Sequence, residues 1–153
     1  MEIPEYFSLV LSILAFVFSL WSFFVERKRN RSEATIHAFD QLEEQVFSQK
    51  NYSTLAIKAG EDYCNGKRDG SWQTATSYLS KIEHFCAGIR LKTYDIDTLN
   101  RLAGGFMIEQ YHYWTPIINT KRLKDVNKRM KHYDEFEAVA KELCKKRGQT
   151  WDL

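Results

Sequence analysis

The block YHYWTPIINTKR, residues 111–122, gathers three aromatic rings, an amide and two cations in one short stretch. Tyr111, Tyr113 and Trp114 offer flat faces on which a base can stack, and Asn119 offers an amide that fits an adenine edge. Lys121 and Arg122 come directly after and can meet phosphate, with Arg90, Lys92 and Arg101 as further cations from the preceding helices. Phosphates supply affinity and bases supply identity, so this is the composition of a small nucleotide-binding site. The competing reading is that Tyr and Trp at helical spacing belong to the core. It holds less well for the cations, which are costly to bury unless paired.

Signs of catalysis are scarce. The chain has no glycine-rich phosphate loop, no Cys or His cluster at metal-ligand spacing and no nucleophile elbow, so no catalytic residue, metal or cofactor is assigned. Arg31 and His37 resemble the Arg/His pairing of small all-helical ribonucleases, where a His works as general acid or base beside a cation. Arg31 already belongs to the basic cluster ERKRNR at the end of an apolar run, which explains it without catalysis. His84, His112 and His132 point nowhere in particular. Cys64, Cys86 and Cys144 are odd in number and read as small buried hydrophobes in a reducing compartment.

The elements that must position these residues begin with that apolar run. Residues 6–25, YFSLVLSILAFVFSLWSFFV, carry no charge and are long enough to cross about 30 Å of hydrocarbon. Glu2 and Glu5 precede the run and ERKRNR succeeds it, so the positive-inside rule puts the C-terminal side in the cytoplasm. The basic start and cleavage site of a signal peptide are missing. Ser8, Ser12, Ala15, Ser19 and Ser22 recur in steps of four and three, which places every small residue on one face, opposite Leu and Phe that suit lipid. Such a seam lets helix backbones approach and hydroxyls bond across the contact, so it predicts self-association. The plainer alternative is that each serine bonds back to its own helix.

Beyond residue 25 lie 22 basic and 18 acidic residues, a formal net of +4, too mild for indiscriminate binding of long nucleic acid. The densest part, KRLKDVNKRMK at 121–131, is a solvated helix face or an anion site. The pattern predicts an all-α chain: a transmembrane anchor over 1–25, a juxtamembrane helix over 26–50, and a cytosolic helical ligand-binding domain over 51–153. Ile36, Phe39, Leu42 and Val46 share one face, and with no Pro or Gly in the way the membrane helix continues below the membrane. A shorter helix is expected at 52–63, then CNGKRDG as a loop. Leu79, Ile82, Phe85, Cys86 and Ile89 define a helix over 74–91. Asp97 is placed to cap the next one, 98–114, with Leu99, Leu102, Phe106 and Met107 inward and Gly104 and Gly105 as weak points. Pro116 opens the last helical region, with Val126, Met130, Tyr133, Phe136, Val139 and Leu143 inward, and Gly148 ends it.

Within this frame SYLSKIEHFCAGIR, KTYD, LNRLAGG and YHYWTPIINTKR, spread over residues 77–122, resemble a family of small bacterial membrane-anchored proteins grouped as a domain of unknown function. Its signature is Y-L-x-x-hydrophobic-E, then Y-D, then P-x-I-x-x-x-R, and it implies one N-terminal membrane helix and a helical cytosolic domain without naming an activity. The overall layout is similar to the short membrane effectors of type III CRISPR systems. That resemblance implies a homotetramer in the bacterial inner membrane, a cytosolic domain that binds cyclic tetra-adenylate, and antiviral defence by perturbing the bilayer. The alternative is a membrane-tethered adaptor whose helical domain binds another protein.

Overall fold

Ile3–Leu42 form one unbroken helix, α1, in the computed structural model, which describes residues 3–67, 70–124 and 132–151. No proline after Pro4 and no glycine at all interrupts this stretch, so it extends for about 60 Å at roughly 1.5 Å per residue. From Tyr6 to Asn30 it is exposed all round, and it is long and apolar enough to cross a membrane. A wider turn, Glu43–Phe47, closes α1 with Ser48 N–H donating to the Glu43 carbonyl at 2.8 Å. Then come α2, Tyr52–Cys64; α3, Ser71–Arg90; α4, Ile96–Lys124; and α5, Asp134–Lys146. Among the described residues there is no strand.

The second half of α1 packs into the same body as the later helices. Phe39, Leu42 and Val46 enter one core with Leu79, Ile82 and Ile89 of α3, Met107 and Trp114 of α4, and Phe136, Val139 and Leu143 of α5. Ile36, expected on that inner face, is 40 % exposed, and Thr35 lies inside in its place. The reason is polar. Thr35 Oγ1 donates to the Arg31 carbonyl and accepts the buried Asp95 N–H, both at 2.7 Å. The apolar side chain expected there would leave the buried Asp95 N–H without an acceptor.

That turn contains a second correction. Asp95, not Asp97, caps α4: its Oδ2 accepts the Thr98 N–H at 2.8 Å and the Thr98 hydroxyl at 2.7 Å. Asp97 instead takes Lys146 Nζ at 2.7 Å, which ties the start of α4 to the end of α5 and holds the Asp97 carboxyl below its ordinary range. Tyr94 stacks on Phe85, centroids 5.5 Å apart, and lies against α3 at Gly88, where any Cβ would collide with the ring.

Pro116 opens no new helix. It lies within α4, on the exposed side together with His112, so the carbonyl that loses its N–H partner lies on the solvent side. The real break is at Ala103, φ −149° and ψ 23°, just before Gly104 and Gly105. It shifts the helical register, so Leu99 and Met107 are buried while Leu102 and Phe106, expected inward, are 47 % and 37 % exposed. The last helical region is two elements: the end of α4, and α5, which places Phe136, Val139 and Leu143 inside as its spacing predicts. Val126 and Met130 lie outside the described residues. Gly148, at φ +65°, ends α5. Cys86 and Cys144 are buried, but Cys64 is exposed at the end of α2.

Candidate functional site

The residues of the 111–122 block separate by depth. Trp114 is wholly buried, its indole N–H donating to Tyr52 Oη at 2.8 Å, and Tyr111 is buried against Phe136, centroids 5.2 Å apart. Neither turns a ring face to solvent, which moves both from the expected stacking platform into the core. Tyr113 is half-buried: its hydroxyl donates to the Tyr52 carbonyl at 2.8 Å and accepts the Ala56 N–H at 3.2 Å, which fastens α4 to α2. Asn119 is exposed. Tyr52 sits at the centre of this group, between Trp114 and the Gln110 amide oxygen, and burial holds its hydroxyl firmly protonated.

The cations fall into two groups. Arg122 reaches α5: Nη1 meets Glu137 at 2.8 Å, Nη2 meets Asp134 at 3.2 Å, and Nε donates to the His132 carbonyl at 2.9 Å. Burial works against the Arg122 charge, and the hydrogen bonds to Glu137 and Tyr111 outweigh it, so its pKa rises. Glu137 shows the mirror case: burial works against its charge, but Lys141 and Arg122 bring its pKa down. Lys121 Nζ donates to Tyr133 Oη at 2.9 Å, and Arg90 Nε meets Glu135 at 3.2 Å. These three cations therefore meet around the start of α5. Lys92 and Arg101 lie elsewhere: Lys92 on the turn into α4, with left-handed φ +59°, and Arg101 on the first turns of α4, with Nε near the Asp97 carbonyl.

The start of α5 needs these partners because Tyr133, left-handed at φ +64°, gives it no side-chain cap. Glu83 of α3 supplies one from across the core. Its Oε1 accepts the Glu135 N–H at 3.0 Å and its Oε2 the Phe136 N–H at 2.8 Å. Burial raises the Glu83 pKa even though both hydrogen bonds favour the carboxylate. Sequence reasoning missed Glu83, and the only available signal was its place in the YLSKIE string. Arg31 and His37 are not brought together. Arg31 Nη2 donates to the Tyr94 carbonyl at 3.2 Å, whereas His37 is exposed on another face of α1. Among the described residues, no group of three His, Cys, Asp or Glu is placed to hold a metal ion.

An open groove of about 520 Å³ lies beside the buried aromatics, lined by Phe47, Tyr52, Phe106, Tyr113, Glu43 and Glu109 among others. The exposed Leu102 and Phe106 line an adjoining recess of about 270 Å³ with Phe39 and Asp40 of α1.

The charged residues of the three signature strings thus sit at joints between helices: Glu83 caps α5, Asp95 caps α4, and Arg122 clamps α4 to α5. No curated protein and no solved structure matches the chain. Residues 9–143, nearly its whole length, match the family described as Domain of unknown function (DUF4760), and the chain belongs to that family.

Proposed function

We propose that this protein is a membrane-anchored effector whose copies associate through α1 and whose helical domain, on the cytoplasmic side, acts on the bilayer through that same helix. One observation carries the reading. At about 100° per residue, Ser8, Ser12, Ala15, Ser19 and Ser22 centre on one face of α1, and the residues that hold the helical domain, Thr35, Phe39 and Leu42, lie about 180° away. The domain therefore leaves the small-residue seam open to other copies along the whole membrane segment. Ser12 Oγ donates to the Ser8 carbonyl at 2.9 Å, so in a single chain this hydroxyl is satisfied locally and the seam would act through its small volume.

A homotetramer bound to cyclic tetra-adenylate is the form suggested by the layout. The ligand would use Arg90, Lys121 and Arg122 with the exposed Asn119, and its phosphates would have to displace Asp134, Glu135 and Glu137. The open groove at Phe47, Phe106 and Tyr113 favours the second reading, an adaptor that takes an apolar segment of another protein. The two separate by one experiment. Full-length chain in dye-loaded vesicles should release dye when cyclic tetra-adenylate is added and not when linear oligoadenylate is added. Intact vesicles under both conditions would remove the nucleotide and leave the adaptor.

A further inference from the structure

We propose that the recess where α1 leaves the membrane binds the phosphate of an anionic glycerophospholipid, and that this lipid fastens the turn between α3 and α4 to the bilayer. The recess, about 450 Å³, is lined by Phe23, Glu26, Arg27, Asn30, Arg31 and Thr93. Phe23 belongs to the apolar run and Arg27 stands one turn below it, so the recess straddles the boundary between hydrocarbon and headgroups. Thr93 comes from the far side, because Arg31 Nη2 holds the neighbouring Tyr94 carbonyl at 3.2 Å. With its guanidinium fixed in this way, Arg31 keeps its Nε buried without a hydrogen-bond partner among the described residues. That N–H is closed off in this side-chain position, and a small shift of the side chain toward the recess would give it a phosphate oxygen as acceptor.

The charges agree. Arg27 and Arg31 against Glu26 leave one net positive charge, the complement of a single phosphodiester, while the Asn30 amide and Thr93 hydroxyl add neutral donors. Phe23 would meet the glycerol and the first acyl carbons. The same turn carries Leu91, 78 % exposed, and the exposed Lys92, an apolar side chain beside a cation, which suits the interface of an anionic leaflet.

The inference rests on α1 crossing the membrane. Its test is native mass spectrometry of the full chain released from nanodiscs of phosphatidylcholine with a minor share of phosphatidylglycerol. Retention of phosphatidylglycerol should exceed its share of the lipid. Arg27→Gln should lower that retention about fivefold, the loss of one cation near a charged surface. Arg31→Gln also cuts the tie to Tyr94 and could loosen the fold. Thr93→Asp keeps that tie, adds a carboxylate to the recess and should lower retention at least as much. Arg29→Gln, whose partner is the exposed Glu33 at 3.5 Å, should leave it unchanged. Equal retention of both lipids, an Arg29→Gln loss as large as that of Arg27→Gln, or displacement by millimolar inorganic phosphate would overturn the proposal. A chain that does not enter the nanodisc would overturn the spanning reading along with it.

Discussion

Glu83 does for α5 what Tyr133, the residue at its own N-cap position, does not. Two N–H groups at the first turn of α5 end on one carboxylate from another helix, so the start of α5 is fixed only when α3 is in place. Glu83→Ala should leave both donors without an acceptor in a half-buried place, at a cost of about 1–3 kcal/mol. Glu83→Gln keeps one oxygen and behaves differently. Because burial raises the pKa of Glu83 above its unfolded value, the folded state binds a proton here more readily than the unfolded chain. This group's contribution is therefore most favourable below the unfolded pKa and is lost as pH rises through the folded one. An amide mimics the protonated form, so Glu83→Gln should stay within about 1 kcal/mol of the parent, with the smaller difference in acid. Thermal unfolding of the detergent-solubilised chain by circular dichroism, for both variants at two pH values, gives the answer. No loss in Glu83→Ala would mean that the cap contributes nothing, and equal losses for Ala and Gln would mean that the amide does not stand in for the protonated carboxyl.

At the scale of elements, the joint between α1 and the α3–α4 turn is made by polar groups on one face, beside the apolar contact of Phe39 and Leu42. Thr35 takes the Asp95 N–H, Ser32 and Thr98 share a hydrogen bond at 2.8 Å, and Arg31 holds the Tyr94 carbonyl. A movement of the α3–α4 turn must therefore pull on α1, a single helix that continues into the apolar segment. Thr35→Val preserves volume but leaves a fully buried N–H unpaired, which should cost about 1–3 kcal/mol. It should also raise amide exchange over 93–98 more than elsewhere, whereas Thr35→Ser should do neither to the same degree. Uniform exchange in Thr35→Val would show that the joint lies elsewhere. This region also shows what a sequence can and cannot disclose. Leu79, Ile82, Phe85, Cys86 and Ile89 are all buried where their period put them, because repeated apolar spacing is a property of one helix read alone. Asp95 against Asp97, Thr35 against Ile36, and Glu83 as a cap all depend on which other helix lies opposite, and no local pattern records that. The aromatics of 111–114 misled for the same reason. Trp114 beside two tyrosines has one composition whether it faces a base or a core, and the α2 contact at Tyr52 decides the matter.

For the whole molecule, the opposition of two faces of α1 limits how copies can assemble. The helical domain occupies the Thr35, Phe39 and Leu42 side, so a symmetric assembly with the seam at its axis places every domain outside, where domains do not collide. The seam face does not stop at the end of the apolar run. At about 100° per residue, Glu26, Glu33, His37 and Asp40 fall close to the line of the serines, and all four are exposed. Below the membrane the axis would then be lined by acidic residues with His37 among them, and like charges brought together there would oppose tight closure while small residues permit it above. Cysteine crosslinking separates the two zones. In a Cys64→Ser background, which removes the exposed thiol and keeps the two buried ones, Ser8→Cys and Ser19→Cys should form disulfide-linked dimers in membranes. Glu33→Cys and His37→Cys should do so more slowly. Val17→Cys and Phe24→Cys, on the opposite side, should stay monomeric. Dimers at all positions alike would mean collision without a seam. Dimers at none would mean that the chain works alone, and the open groove beside Phe106 would then be its remaining contact surface.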